Sequence, residues 1–379
     1  MATRRSNGEG TYRQRPNGTW EMRFLLPNGK RKSVYGKTQK KAREAMLAVL
    51  AEYEQEMEKV VKSKGMTVSQ WFDIWLSTYV KTKPLTKARY EMDVRIHIKP
   101  AIGDIPLADL EAPSIQYLYN KKEEDGLSLK SIKNLHSVVH TALNKAVELG
   151  YIRFNVSNMC NINKPPVKEM YPITDGDLVR FLGAIKESKY EDILFFMTFT
   201  GVRRAECVGL TWDCIDFNRN TIHVYRQWQK HPHLGGKSIY GFEPLKNNKS
   251  RTFKVAKQVM DVLKKIKVEQ DKQKLACGDG WHAEHDFVFT HDDGEVYNAD
   301  CVFKYFKRVV RSLGLENTRL HDLRHTFATL AIENGTDMKT VSVSLGHSTT
   351  AFTMDKYGHV SAAMESSCAD RMENLISTL

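Results

Sequence analysis

The 379-residue chain has no CxxC pair, no long apolar run, no internal repeat and no low-complexity tract. Its six cysteines, at positions 160, 207, 214, 277, 301 and 368, are scattered, which argues against a disulfide framework and for reduced thiols in a cytosol. Apolar runs such as Ile193 to Met197 fall far short of the roughly 20 residues a membrane-spanning helix needs. The N-terminal arginines have no apolar stretch behind them, so no secretory signal is expected either. Cys277, His282 and His285 form the only Cys/His grouping and lack a fourth ligand at a useful spacing, so neither a metal nor another cofactor is expected. The sequons at Asn17 and Asn155 are then chance matches. What remains, with 41% hydrophobic and 27% charged residues, is the composition of a globular protein long enough for two or three domains.

Positive charge is plentiful and unevenly placed. The net charge is +12, and the first 43 residues hold twelve Lys and Arg against only Glu9 and Glu21. A polyanionic partner is expected. The same segment has a fold pattern: Thr11 to Arg15, Thr19 to Leu26 and Arg31 to Tyr35 read as strands, separated by the turn signals Pro16-Asn-Gly18 and Pro27-Asn-Gly29. Trp20, Met22 and Phe24 alternate with Glu21 and Arg23, and Thr38 can cap a helix striped by Ala42, Met46 and Val49. A basic three-stranded sheet backed by one helix is a DNA-groove reader, with Arg13, Arg15, Arg23, Arg31, Lys32 and Lys37 as candidate contacts.

A linker near Lys59 to Met66 leads to two helical stripes, Val68-Trp71-Phe72-Trp75-Tyr79 and Ile132-Leu135-Val139-Leu143-Ala146. Their apolar residues are core. Lys83, Lys87, Arg89, Lys130 and Lys133 around them are candidate phosphate contacts, and for any single one a solvated face is an equal reading. A second linker, 161–167, carries Pro165-Pro166. The expected organisation is therefore α+β and multidomain: residues 1–58 a small sheet plus helix, 66–160 helical, and 170–379 mostly helical with a small antiparallel sheet near Thr221 to Val255. The last segment, Cys368 to Leu379, keeps a helical stripe that can pack on its own domain or on a neighbouring copy.

Chemistry concentrates in the last domain. His321 and Arg324 are three apart and share a helix face, while Leu323, Phe327 and Leu330 point to another. Arg203 follows an apolar helix and a Thr-Gly step, and Glu206 can buttress its guanidinium. Each of these pairs alone is ordinary. In order, however, the chain carries Thr200-Gly-Val-Arg-Arg-Ala-Glu206, His321-Asp-Leu-Arg-His-Thr-Phe-Ala-Thr329, Leu345-Gly-His-Ser348 and Asp355-Lys-Tyr-Gly-His-Val360. So arranged, they closely resemble the tyrosine recombinase (phage integrase) family, over essentially the whole chain.

The resemblance implies that Arg203 and Arg324 clamp a scissile phosphate, that His321 and His347 assist, and that Tyr357 is the nucleophile, leaving a 3′-phosphotyrosyl link and a free 5′-hydroxyl. The family's hairpin lysine would be Lys246; the stretch Glu243 to Thr252 departs from the usual spacing, so Lys249 is its rival. Glu206 matches the acidic support of the first arginine. The basic N-terminus is similar to the arm-type DNA-binding domain of lambda-type and conjugative-transposon integrases. The implied function is site-specific integration and excision of a mobile element through a Holliday junction. Implied partners are double-stranded DNA with core-type and arm-type sites, a homotetramer, and DNA-bending and directionality proteins, with no membrane. The implied location is the bacterial cytoplasm, on the nucleoid. The alternatives are a type IB topoisomerase-like relaxing enzyme and a DNA-binding regulator with a vestigial catalytic domain.

Elementary chemistry fits this assignment. A phenol of pKa ~10 is ionised to about one part in a thousand at pH 7, a deficit of roughly 4 kcal/mol. Two nearby arginines favour the phenolate and the extra charge of a pentavalent phosphorane, and their planar forks take two phosphate oxygens at once. His321 can accept the phenol proton and a lysine ammonium can protonate the leaving oxygen.

Overall fold

The computed structural model describes residues 10–26, 31–58, 65–166, 169–173, 175–231, 239–246, 248–282, 285–347 and 349–362. Arg4, Arg5, Lys30, the turn from Pro27 to Gly29 and the stripe from Cys368 to Leu379 lie outside these residues. The chain divides into two compact units, Met1–Val167 and Lys168–Leu379. The first unit contains two separate apolar clusters, one under the N-terminal sheet and one among the helices that follow.

Strands β1 (Thr11–Gln14), β2 (Trp20–Leu25) and β3 (Arg31–Gly36) form an antiparallel sheet in that order. Gly18, at φ +80°, makes the first turn, which the Arg15 N–H to Thr19 carbonyl bond closes at 2.9 Å. Thr38 Oγ1 accepts from the Lys41 N–H at 3.2 Å and opens helix α1 (Gln39–Glu58). Met22, Phe24 and Val34 on the inner face pack on Ala42 and Met46 of α1. The register pairs Arg13 and Tyr35 with Glu21, and Thr11 and Ser33 with Arg23, so these side chains share the outer face. Lys32 is opposite Phe24 and alternates to the helix side, and Lys37 follows the strand, so the six basic residues expected to act together divide between positions.

Helices α2 (Val68–Ile74), α3 (Pro84–Asp93), α4 (Lys99–Ile102), α5 (Ala112–Glu124) and α6 (Leu129–Glu148) build the helical part of this unit. Thr67 and Gln70 cap α2 reciprocally. Trp71, Phe72 and Trp75 are core together with Ile132, Leu135, Val139, Leu143 and Ala146 of α6, and the Trp71 Nε1–H donates to the Ala142 carbonyl at 3.1 Å. Lys83 immediately precedes α3, Lys87 and Arg89 lie within it, and Lys130 and Lys133 lie in the first two turns of α6, which packs on α3. All but the half-buried Lys87 are exposed.

The second unit comprises α7 (Asp175–Ile185), α8 (Glu191–Thr200), α9 (Arg204–Val208), β4 (Ile215–Asp216), β5 (Thr221–Val224), β6 (Arg226–His231), β7 (Ile239–Pro244), β8 (Arg251–Lys254), α10 (Lys257–Cys277), α11 (Ala299–Ser312), α12 (Asp322–Glu333), α13 (Met338–Leu345) and α14 (Thr350–Ala362). One antiparallel sheet has the order β4-β5-β8, and β6 pairs with β7 as a hairpin. A main core around Phe181, Phe196, Met260 and Phe306 fixes α8 and the sheet. A smaller cluster of Ala328, Ile332, Val341, Leu345 and Tyr357 joins α12, α13 and α14. No helix among the described residues is long and apolar enough to cross a membrane.

Candidate active site

Helix α8 ends in Gly201, which adopts the left-handed conformation at φ +63° and turns the chain so that Arg203 opens α9. A Cβ on Gly201 would lie 2.6 Å from Phe327 and 2.7 Å from Leu345, so this close approach of α8 to α12 and α13 requires glycine. Arg203 Nη1 donates to Glu206 Oε1 at 2.7 Å, and Glu206 Oε2 accepts from the Arg203 N–H at 3.0 Å. The buttress read from the spacing is thus present in the geometry, and Glu206 is fully buried.

A third arginine completes the arrangement. Arg251, at the start of β8, donates to both oxygens of Glu206, through Nη2 at 2.7 Å and Nη1 at 3.3 Å. Its burial alternates in step with Phe253, a period-two signal that places it on the inner face of the strand. That signal was available in the Arg-Thr-Phe-Lys segment, but its partner is 45 positions away.

The three guanidinium groups share one more device. Arg251 Nε donates to the Ser344 carbonyl at 2.8 Å, Arg324 Nη2 to the Leu345 carbonyl at 2.5 Å, and Arg203 Nη2 to the Gly346 carbonyl at 3.2 Å. These are consecutive carbonyls at the C-terminal end of α13, where helical carbonyls lack partners and the helix dipole is negative. Arg324 Nη1 also donates to the Gly201 carbonyl at 2.8 Å. Gly346, left-handed at φ +66°, ends the helix, and a Cβ there would come within 3.0 Å of Arg251. One helix end therefore assembles three cations around a single carboxylate.

Burial opposes ionisation of Glu206, but hydrogen bonds and charge from Arg251, with the charge of Arg203, hold its pKa at about 2. Arg324 is buried beside Arg203, and desolvation and that like charge push it down to about 9. His321, the residue before α12, sits exposed at the rim of a cleft of about 680 Å³ that Arg203, Arg324, Arg319 and Gln227 also line. Desolvation and the Arg324 charge lower its pKa. His347 Nδ1 lies 2.8 Å from Thr353 Oγ1, and burial followed by the Arg324 charge holds it at about 3.

Tyr357 shares a buried face of α14 with Thr353, four residues earlier. Its hydroxyl is 2.5 Å from His325 Nδ1. His325 stands one position past Arg324 and four past His321, so the helical period could have flagged it on the His321 face. Burial, then the charge on His321, depresses His325 to about 4, so it is neutral at pH 7 and can accept a proton. Burial pushes Tyr357 up to about 12, against the opposing charge of Arg324. The phenolate deficit at pH 7 is therefore roughly 7 kcal/mol rather than 4.

Lys246 and Lys249 lie exposed on the connection from β7 to β8, and neither joins this hydrogen-bonded network among the described residues. Cys277 Sγ approaches the Asp292 carbonyl and the His285 ring packs on Trp228, and no group of three metal-binding side chains occurs among the described residues.

Residues 173–364 match the model of the phage integrase family, and residues 67–122 match the phage integrase N-terminal SAM-like domain. The chain is 28% identical to a tyrosine recombinase XerC-like protein of Caldanaerobacter subterraneus subsp. tengcongensis, over 92% of this chain and 93% of that protein. It is 25% identical to the ICEBs1 integrase of Bacillus subtilis, over 89% and 91%. Among solved structures, the Tn1549 transposon integrase with circular intermediate DNA aligns at a TM-score of 0.66 and 23% identity, covering 82% of this chain and all of that one. A lambda integrase tetramer bound to a Holliday junction aligns at 0.57 and 19%, covering 89% and 96%. At these identities the two structures speak for the fold.

Proposed function

The chain belongs to the phage integrase family and is a tyrosine-type site-specific recombinase, a DNA strand-transferring enzyme of mobile elements, and from that premise we propose that Tyr357 is its nucleophile and the Arg203–Arg324 pair its phosphate clamp. The observation that carries this reading is the convergence of Arg203, Arg324 and His321 on one cleft, with Tyr357 of α14 held by His325, the residue after Arg324 on α12, and within reach of the Arg324 charge. The phenol oxygen attacks phosphorus, the two arginines hold the non-bridging oxygens, and the 5′-oxygen leaves with a proton from Lys246 or Lys249. Attack by that 5′-hydroxyl of a partner strand on the phosphotyrosine reverses the step, so ligation needs no ATP. The sheet of β1 to β3 serves arm-type DNA, the α2 to α6 helices and the catalytic unit serve core-type DNA, and a homotetramer exchanges strands in pairs through a Holliday junction. Bending and directionality proteins are the expected accessory partners. The domain bounds 1–58, 66–160 and 170–379 follow from this division of labour.

A nicked duplex carrying the element's end, incubated without metal or ATP, is expected to give a covalent protein–DNA band on a denaturing gel, because the short 5′-hydroxyl fragment diffuses away. Tyr357→Phe should give none. A band that persists in that variant would remove Tyr357 from the nucleophile's place.

His325 is proposed to take the Tyr357 proton, alone or in relay with His321, its ring neighbour at 5.3 Å. His325→Phe keeps the ring volume and removes the acceptor. Adduct formation in single turnover at pH 7 is expected to slow about 10²-fold, with DNA affinity unchanged. An unchanged rate would reduce His325 to a packing residue.

A further inference from the structure

The outer face of the N-terminal sheet carries one acidic side chain in the middle of its arginines, and that side chain is buried: Glu21 is 2% exposed. On a surface serving only to attract a polyanion, a carboxylate is a cost, since it cancels charge and loses hydration. Its geometry shows a different use. Glu21 Oε1 accepts from Arg23 Nε at 2.9 Å, and Oε2 from Arg15 Nε at 3.2 Å. Both arginines are thus held by the inner nitrogen, which leaves their Nη groups for other partners, and both side chains are about half exposed. Hydrogen bonds from Arg23 and then Arg15 hold the carboxylate at about 2, so it is ionised at any working pH.

The two arginines are not equivalent. Arg15 Nη2 also donates to the Tyr35 hydroxyl at 3.2 Å, and its guanidinium lies over the Tyr35 ring at 4.8 Å. The Nη groups of Arg23 have no partner among the described residues. Arg23 stands on the central strand, and its cross-strand neighbours on that face are Thr11 and Ser33, small side chains that leave its fork clear. A guanidinium gripped at Nε and open at both Nη groups matches the O6 and N7 acceptors that guanine presents in the major groove, a groove wide enough for a β-ribbon. Holding the fork in place before binding removes rotamer entropy that a free arginine would lose on contact.

We propose that Arg23 reads a guanine in the major groove of the DNA bound by the N-terminal sheet, and that Glu21 is the positioning residue that makes this reading selective. The inference rests on the arm-type DNA reading given above. Tyr35-stacked Arg15 and the outward Arg13 then serve the flanking backbone.

The test uses the full chain and a random-sequence duplex library, followed by affinity measurements on the enriched duplex. An Arg13→Ala/Arg31→Ala variant identifies which enriched sequence depends on the sheet. That sequence is expected to contain a guanine whose replacement by 7-deazaguanine, lacking the N7 acceptor, weakens wild-type binding about tenfold. In Glu21→Gln the penalty should fall below about threefold while the salt dependence stays, because phosphate contacts are untouched. Arg23→Lys, an exposed change that leaves the fold alone, should abolish the penalty, and adding Glu21→Gln to it should change nothing more. A sheet-dependent sequence without such a guanine, or a Glu21→Gln variant that loses affinity equally for every sequence, would overturn the inference. If the Arg13→Ala/Arg31→Ala variant selects the same sequences with the same affinity as wild type, the arm-type reading itself fails, and the two failures are distinct.

Discussion

Glu206→Gln is expected to lower the unfolding free energy of the catalytic unit by about 3 kcal/mol at pH 7, and to slow adduct formation about 10²-fold. The carboxylate is buried and answers two guanidinium groups directly, Arg203 and Arg251, with Arg324 close behind. Glutamine keeps the volume but brings a neutral amide, whose NH₂ meets cations that donate and cannot accept. The magnitude has two sources that agree. A carboxyl at about 2 in the fold against 4.5 in the unfolded chain corresponds to roughly 3 kcal/mol. Breaking one side of a buried ion pair costs about 3–5 kcal/mol.

The sign fixes the pH window. A carboxyl whose pKa is depressed on folding contributes its full stability above about pH 4.5 and loses it as the pH falls towards 2. The gap between wild type and Glu206→Gln should therefore be constant from pH 6 to 8 and close in acid. Scanning calorimetry of the catalytic-unit transition, which should fall by roughly 6–12 °C at pH 7, measures it. A gap below about 1 kcal/mol, or one that does not close in acid, would mean that Glu206 does not carry the arginine cluster.

How much of this site is legible in the sequence depends on how far apart the partners lie. The Pro16-Asn-Gly18 turn, the Thr38 cap and the stripes of α2 and α6 are local patterns, so periodicity and turn chemistry place them with little help from tertiary contact. Arg203 and Glu206 are three apart, and their pairing is equally local. Arg251 and Glu206 are not, because nothing in a basic residue at the head of a strand says which buried carboxylate it will meet. The row of carbonyls from Ser344 to Gly346 is less legible still. Backbone oxygens have no letter in the sequence, and they become a template only when α13 ends at Gly346 against β8 and α12. Spacing puts Tyr357 on a face with Thr353, but the inward direction of that face comes from Ile332, Val341 and Leu345. Between Lys246 and Lys249 the sequence leaves a choice, and both are exposed in the fold.

Arg324→Lys preserves a positive charge and is nevertheless expected to cost at least about 10³ in single-turnover adduct formation. Arg324 uses one Nη group on the Gly201 carbonyl and the other on the Leu345 carbonyl, and its planar fork still has N–H donors for a phosphate. An ammonium has three donors on a single atom and cannot satisfy two fixed carbonyls and a phosphate together. The second reason is electrostatic. Burial and the Arg203 charge bring even this arginine to about 9. A lysine starts from a lower reference of about 10.4, and the same burial and like charge would lower it further, so it loses its charge more readily than the arginine as the pH rises. The residual activity of Arg324→Lys should then fall as the pH rises from about 6 to 8.5, a dependence that the wild-type arginine does not impose. DNA affinity should be nearly retained, since the DNA contacts proposed for the sheet and for α3 and α6 are elsewhere. Adduct yields at the two pH values, with binding measured on the same duplex, decide the matter: a variant within tenfold of wild type would show that Arg324 is structural and that the clamp lies with other groups. The burial that makes the cation costly is also the reason arginine, and not lysine, suits the position, because only the guanidinium keeps its charge there with Glu206 already shared among three cations, and the proposed phosphate would add a second anion.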